Sequence, residues 1–254
     1  MDGRLWTDVA EDLSADFRCI VPTLPLGAHT LPMQAGADLS LHTVAAVVGE
    51  LLRELDLREV VLVGNDTGGA LIQLLLASDG EATGRIGGVV LVGCEAFDNV
   101  PPGLTGRTIV ALGKLPPTLF GLFMWQMRIK ALRRLPISFG WLTKRGDAMT
   151  ARWITPILTR PEVRRDTVAL LRAIGADRRI LIKAAELLPA FDRAALVVWA
   201  EGDRVMPPEH GRRLAALLPQ GRLVEIADSR TLIPLDQPAR LAQAIRAWVD
   251  ATRR

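Results

Sequence analysis

Residues 60–76 have the sequence Val60-Val61-Leu62-Val63-Gly64-Asn65-Asp66-Thr67-Gly68-Gly69-Ala70-Leu71-Ile72-Gln73-Leu74-Leu75-Leu76. A block of β-branched residues leads through a glycine-rich corner into an apolar helical pattern, which predicts a strand, a sharp turn and a helix. Asp66 lies at the corner, with Gly64 two residues before it and Gly68 two residues after it. This is the spacing of a nucleophile elbow, where small flanking residues keep side chains from colliding with neighbouring backbone.

An aspartate at this corner predicts a different reaction from the usual serine. A carboxylate with an ordinary pKa of about 3.9 is ionised at neutral pH, so it can displace a leaving group from a tetrahedral carbon and become an ester. Hydrolysis of that ester then needs a general base and a hydrogen-bond donor for the oxyanion. The backbone N–H of Thr67 is a candidate oxyanion donor. The alternative is simple helix capping, since Asn65, Asp66 and Thr67 are all good N-cap residues.

The composition indicates one large α/β domain with an insertion, because the chain has 254 residues and 49% of them are hydrophobic. Cys19 and Cys94 lie beside apolar blocks and lack metal-ligand spacing, so both are predicted to be buried free thiols. The first residues lack the apolar core of a signal peptide, and no apolar run is long enough to span a membrane. We therefore expect a cytoplasmic protein with no stable membrane insertion, no metal and no cofactor.

Positive charge is concentrated in the middle of the chain. Residues 101–185 contain 16 Lys and Arg against 4 Asp and Glu, whereas the whole chain has a formal charge of only +3. This surface could attract an anionic substrate, a membrane face or an acidic partner, but a solvated arginine-rich face with no partner is the commoner explanation. We expect no nucleic-acid partner.

The rest of the chain alternates strands with amphipathic helices. Continuously apolar strands of this kind indicate a doubly wound, mostly parallel sheet with helices on both faces. The predicted helices, other than the one after the elbow, are 6–17, 40–55, 118–134, 163–174, 209–217 and 238–249, and the predicted strands besides the elbow strand are 18–21, 88–92, 195–200 and 222–227.

Residues 101–185 interrupt this alternation, since they contain prolines, glycines and helical stretches but no convincing strand. We predict a helical cap at 101–185, inserted into a core formed by 1–100 and 186–254. Trp125, Trp141 and Trp153 of the cap are candidates to line an apolar substrate pocket together with Asn65. Packing between the cap helices is the alternative role of these aromatic residues.

Reactive side chains of a parallel sheet collect at the carboxyl ends of its strands. Asp66 follows the elbow strand and Glu95 follows the strand 88–92, while Asp203 lies in a Gly202-Asp203 turn after the strand 195–200. These three carboxyl groups are therefore candidates for one site, although Asp203 could serve only to cap its turn.

The elbow, the cap insertion and the Gly202-Asp203 turn resemble the α/β-hydrolase fold over essentially the whole chain. The closest resemblance is to its aspartate-nucleophile branch, which includes haloalkane dehalogenases and epoxide hydrolases. The resemblance implies that Asp66 is the nucleophile and that Asp203 is the acid that orients a catalytic histidine. Some dehalogenases take that acid from the position of Glu95, which is therefore the alternative acid.

The chain departs from this family pattern at several positions. The expected histidine slot holds Thr231, whose hydroxyl cannot accept a proton near neutral pH. His29, in a loop after a predicted strand, is the candidate replacement, and an ordinary loop histidine is the alternative. The chain has no tyrosine to activate an epoxide, and Thr67 occupies the position where dehalogenases usually hold the halide with a tryptophan.

The family pattern begins with further strands and a His-Gly turn, whereas this chain begins at what resembles the following helix. The resemblance thus implies an N-terminally short sheet with an exposed edge, which favours a homodimer. We expect a hydrolase that acts on a small apolar ester or halogenated compound through Asp66. The alternative hypothesis is a catalytically silent homologue that binds a ligand or serves as a scaffold.

Overall fold

Four parallel strands form a sheet in which the spatial order follows the chain order, within the described residues 1–78 and 80–252 of this computed structural model. The strands are β1 (Val60–Asp66), β2 (Ile86–Cys94), β3 (Ala194–Ala200) and β4 (Gln220–Ile226). β2 and β3 occupy the centre of the sheet, and their residues are almost all buried. This burial on both faces explains why their sequences are continuously apolar rather than alternating.

Helices surround the sheet and also fill the long segment between β2 and β3. They are α1 (Thr7–Leu13), α2 (Leu41–Glu54), α3 (Thr67–Leu76), α4 (Glu81–Gly84), α5 (Gly103–Leu112), α6 (Pro117–Trp125), α7 (Lys130–Arg133), α8 (Asp147–Thr159), α9 (Pro161–Ala176), α10 (Ile180–Leu187), α11 (Pro208–Leu217), α12 (Ile233–Asp236) and α13 (Pro238–Thr252). Short 3-10 helices span Gly3–Trp6, Gln126–Arg128 and Leu188–Ala190.

Alternate residues of the central strands pack on opposite faces of the sheet. Leu91 of β2 lies in one apolar cluster with Leu75 of α3, and its neighbour Val92 lies in another with Ile245 of α13. Helices α3 and α11 thus cover one face, while α1 and α13 cover the other. The doubly wound α/β fold predicted from the sequence is confirmed.

Most predicted elements are confirmed with ends that shift by a few residues. The helix predicted from Ser40 is α2, and the Ser40 hydroxyl caps it by accepting a hydrogen bond from the Thr43 N–H. The helix predicted at 118–134 is broken into α6, a 3-10 turn and α7. Of the helix predicted at 6–17, only Thr7–Leu13 is α-helical.

The strand predicted at 18–21 is wrong. These residues form no ladder with β1, because a cavity lies between the two segments and is lined by both. A strand requires a neighbour to pair with its backbone N–H and C=O groups, and apolar composition alone does not supply one. Cys19 is consequently exposed, which corrects its prediction as a buried thiol, whereas Cys94 at the end of β2 is buried as predicted.

Residues between β2 and β3 are helical wherever they are regular, from Gly103 of α5 to Leu187 of α10 and the 3-10 turn that follows. Their division into a cap at 101–185 and a core at 1–100 and 186–254 stays a prediction. In the described part of the chain, no helix combines the length and the apolar character needed to cross a bilayer.

Candidate active site

Asp66 lies at a strained corner between β1 and α3. It is the last residue of β1, its φ and ψ are 54° and −127°, and α3 begins at Thr67. A non-glycine residue adopts a positive φ at an energetic cost, and such strain is concentrated at functional sites. The side chain of Asp66 makes no capping hydrogen bond to α3. Helix capping therefore does not explain the aspartate at this corner.

The glycines around the elbow have unequal roles. A Cβ on Gly64 would lie 2.6 Å from the carbonyl carbon of Gly68, and one on Gly69 would lie 2.4 Å from the Cβ of Cys94. A Cβ on Gly68 would meet nothing within 4 Å. Lack of space for a side chain thus explains the glycine at position 64, as predicted. The same explanation holds for Gly69 but not for Gly68, where a side chain would fit.

Glu95 follows β2 beside the elbow, because Asp66 pairs with Cys94 in the parallel ladder. The Thr67 hydroxyl donates a hydrogen bond to Glu95 Oε1 at 3.1 Å. The other carboxyl oxygen, Oε2, is buried and has no hydrogen-bond partner. Glu95 is only 3% exposed, so this oxygen is an unsatisfied polar atom in the interior next to the elbow.

Gln73 holds the backbone of Glu95 in place. Its side-chain amide donates to the Glu95 carbonyl oxygen at 2.8 Å and to the Gly69 carbonyl oxygen at 3.1 Å. Gln73 is fully buried. The sequence analysis missed this residue, although a single amide within the apolar run Ala70–Leu76 is the signal that could have identified it.

Asp203 and Thr231 are brought together beyond the ends of β3 and β4. The Thr231 hydroxyl donates to Asp203 Oδ1 at 2.8 Å, and the same oxygen accepts from the backbone N–H groups of Val205 and Met206. Asp203 Oδ2 is buried without a partner. The threonine in the expected histidine slot therefore contacts the acid that would orient a histidine there.

Asn65 connects the elbow to this second pair. Its side-chain amide donates to the carbonyl oxygens of Val92 at 2.8 Å and Thr231 at 2.7 Å. The carboxyl ends of β1, β2 and β4 are thus linked by one buried side chain, which fixes the elbow relative to the Thr231 turn.

Burial makes these carboxyl groups hard to ionise. Removal from water raises the pKa of Asp66 to about 6, the charge of the N-terminal amino group opposes this shift, and the charge of Asp203 adds to it. Burial likewise raises the pKa of Asp203 to about 6. The pKa of Glu95 is raised well above its usual range by burial and then by the charge of Asp66. A charge on Asp66 therefore makes ionisation of Glu95 still less favourable.

A largely apolar cavity of about 980 Å³ opens beside the elbow. Asn65, Asp66, Thr67 and Glu95 all contribute to its wall. From the helical segment between β2 and β3, the lining includes Phe123, Met124, Met127, Leu132, Phe139 and Leu142. This volume is large enough for an apolar molecule of drug size, and the carboxyl groups supply the few polar groups that such a site requires.

The three cap tryptophans are not among the residues that line this cavity. Trp125 is 56% exposed on α6, and Trp153 is buried with its indole N–H donating to Asp2. Trp141 is partly buried, with the guanidinium of Arg204 6.0 Å from its ring centre. Other apolar side chains of the segment line the cavity in their place.

His29 lies in the loop before α2 and contacts a different carboxylate. Its Nε2 is 3.3 Å from Asp166 Oδ2 of α9, and both residues are buried. Burial lowers the pKa of His29, while Asp166 opposes this shift. His29 is also absent from the cavity lining, so a part for it in proton transfer stays a prediction.

The comparisons with known proteins agree with this architecture. The model of the alpha/beta hydrolase family matches residues 1–244. Haloalkane dehalogenase 2 of Mycobacterium tuberculosis is 26% identical over 245 residues, which cover 95% of this chain and 82% of that protein. An uncharacterized hydrolase of Bacillus subtilis is 33% identical over 64 residues, which cover 25% of this chain and 23% of that protein.

Solved structures share the fold. A thermophilic esterase from Thermogutta terrifontis superposes with a TM-score of 0.69 at 23% identity, over 99% of this chain and 86% of that chain. An alpha/beta hydrolase fold protein from Burkholderia ambifaria gives a TM-score of 0.74 at 23% identity, over 96% of this chain and 85% of that chain.

Proposed function

We propose that this chain, which belongs to the alpha/beta hydrolase family, hydrolyses a small apolar halogenated compound or ester with Asp66 as its nucleophile. One observation carries the proposal: a strained elbow presents a buried carboxylate to the wall of an apolar cavity. The similarity to a haloalkane dehalogenase supports the same substrate class. The cavity supports an apolar substrate because its lining is largely apolar.

The first chemical step is displacement at the substrate carbon. A carboxylate oxygen of Asp66 forms a bond to that carbon, and the leaving group departs with the electron pair of the broken bond. Desolvation makes this carboxylate a stronger nucleophile than one in water, and the apolar cavity wall holds the substrate against it. Asp66 then carries an alkyl ester.

The second step is hydrolysis of that ester by water. Water adds to the carboxyl carbon of Asp66, and negative charge develops on the carbonyl oxygen. The backbone N–H of Thr67 is the proposed donor to this oxyanion, since it is at the N-terminus of α3. The Asp203 carboxylate accepts a hydrogen bond from the Thr231 hydroxyl. Its negative charge favours proton acceptance by a base near the ester.

The experiment is an assay of halide and alcohol release from a panel of short haloalkanes and activated esters. We expect the wild-type protein to release product from a haloalkane with three to six carbons, and Asp66→Asn to release none. Asn is nearly isosteric with Asp, so the elbow is preserved while nucleophilicity is lost. Product release that persists in a folded Asp66→Asn protein would contradict the proposal. No product across the panel would favour a ligand-binding homologue.

A further inference from the structure

The structure holds no histidine against Asp66 among its described contacts, so the group that accepts the proton of the hydrolytic water must be found elsewhere. Of the ionisable side chains on the cavity wall, Glu95 is next to the elbow and has a free carboxyl oxygen. Asp203 is also buried near the site, but it is not among the residues that line the cavity.

We propose that Glu95 is the general base that hydrolyses the Asp66 ester, in place of the family's histidine. This inference rests on the proposed function, because it requires an ester on Asp66. It assigns Glu95 a role different from that of an acid that orients a histidine.

Hydrogen bonding leaves one Glu95 oxygen without a partner. Oε1 accepts from the Thr67 hydroxyl at 3.1 Å, and the buried Oε2 has no partner. The Gln73 amide holds the Glu95 backbone from α3 at 2.8 Å. The carboxyl group is therefore fixed on one side and unsatisfied on the other, and the hydrolytic water of the proposal is the partner that would satisfy it.

Electrostatic coupling to Asp66 makes the ease of ionising Glu95 depend on the step of the reaction. Burial, and then the negative charge of Asp66, disfavour ionisation of Glu95 in the free enzyme. Esterification removes that charge, so Glu95 loses its proton more readily once the ester has formed. Formation of the ester thus shifts Glu95 toward the carboxylate form that a general base requires.

The reaction balances without another participant. In the first step the carbon–halogen bond breaks, a halide ion leaves, and Glu95 releases its proton to solvent. Glu95 then takes a proton from water as the hydroxide adds to the Asp66 carboxyl carbon. When the tetrahedral intermediate collapses, the departing alkoxide takes the proton from Glu95 and leaves as alcohol. Asp66 is left protonated, and transfer of its proton to Glu95 restores the starting state.

The test compares Glu95→Gln with the wild-type protein by intact-protein mass and halide release on a short haloalkane. Gln retains the size of Glu and can still accept from Thr67, but it cannot accept a proton from water. We expect Glu95→Gln to release one equivalent of halide, to accumulate an ester on Asp66, and to lose turnover by roughly 10²-fold or more. Glu95→Ala should regain turnover when millimolar formate is added as a substitute base.

The outcomes separate the two proposals. An Asp66 ester that hydrolyses in Glu95→Gln at the wild-type rate overturns the role of Glu95 and leaves Asp66 as nucleophile. Accumulation of the ester in Asp203→Asn instead of Glu95→Gln assigns the base to Asp203 and likewise overturns the inference. A wild-type protein that forms neither ester nor product overturns both proposals. Thermal melting of each variant shows whether it is folded.

Discussion

Asp66 illustrates how the burial of a charged side chain lowers stability. Its pKa is raised from 3.8 to about 6 by burial, so the folded protein binds the Asp66 proton more tightly than the unfolded chain does. By linkage, burial of the charged Asp66 carboxylate lowers the free energy of unfolding. This loss of stability is small below about pH 4 and reaches its full size above about pH 6. Neutralising this residue should therefore stabilise the fold at neutral pH.

We predict that Asp66→Asn raises the free energy of unfolding at pH 7.5 by up to about 3 kcal/mol, the equivalent of two pKa units. The gain should vanish at pH 3.5, where Asp66 is neutral in the folded and unfolded states. Urea unfolding at both pH values measures it. Asp250→Asn, at an exposed position of α13, is the matched control and should change little. A gain of equal size at pH 3.5 would contradict the assignment to charge burial.

Thr231 occupies the histidine slot and already contacts Asp203 at 2.8 Å. We predict that Thr231→His, introduced into Glu95→Gln, shortens the lifetime of the Asp66 ester at least tenfold, because Asp203 can orient the imidazole as a base. Thr231 is fully buried, so the larger side chain should cost about 1–3 kcal/mol of stability. Intact-protein mass against time gives the lifetime. Thr231→Asn is the control, and equal lifetimes for the two variants would refute the prediction.

The elbow is the element for which sequence and structure agree most closely. Its strand, corner and helix follow from a β-branched block, glycines and an apolar helical pattern, which are local signals. The strand predicted at 18–21 failed because strand formation depends on a neighbour that the local sequence does not encode. Similarly, the spacing of Gly68 suggested a steric role that only the three-dimensional contacts assign to Gly69.

We predict that the three elbow glycines respond differently to alanine. Gly64→Ala and Gly69→Ala should each destabilise the protein by about 2 kcal/mol or more, since their Cβ atoms would lie 2.6 Å and 2.4 Å from neighbouring atoms. Gly68→Ala should be neutral or stabilising, because it lies in α3 with free space around it. Urea unfolding of the three variants measures the differences. Equal destabilisation by all three would contradict the contacts described.

Within the described residues, β1 pairs only with β2, so the other side of β1 is an unpaired edge of the sheet. Ile20 and Val21, on the opposite wall of the adjoining cavity, are 40% and 41% exposed. Unpaired edges and exposed apolar residues promote association. The prediction of a homodimer is consistent with this edge.

We expect sedimentation velocity to show a monomer–dimer equilibrium at protein concentrations between about 1 and 100 µM. This range includes dimer dissociation constants of roughly micromolar size. The double variant Ile20→Lys, Val21→Lys should shift this equilibrium to the monomer, because the two lysines place positive charge beside the unpaired edge of β1. Leu187→Lys, at an exposed apolar position of α10, should leave it unchanged. A wild-type protein that remains monomeric throughout would refute the prediction.

Sequence reasoning placed three carboxyl groups at the candidate site but did not reveal their side-chain partners. Asp66, Glu95 and Asp203 follow strands, so the fold rule for parallel sheets places them at one edge. Side-chain partners depend on packing between distant segments, which no spacing reveals. His29 therefore contacts Asp166, 137 positions away, and Gln73 holds Glu95.

Isotope labelling during a single turnover shows whether Asp66 or water attacks the substrate carbon. Enzyme in excess over a short haloalkane is allowed to react in water enriched in oxygen-18. A nucleophilic Asp66 gives the alcohol its own carboxylate oxygen, so the first alcohol should contain oxygen-16 and the Asp66 peptide should gain oxygen-18. Alcohol labelled with oxygen-18 in that first turnover, with an unlabelled Asp66 peptide, would show direct attack by water and contradict the claim.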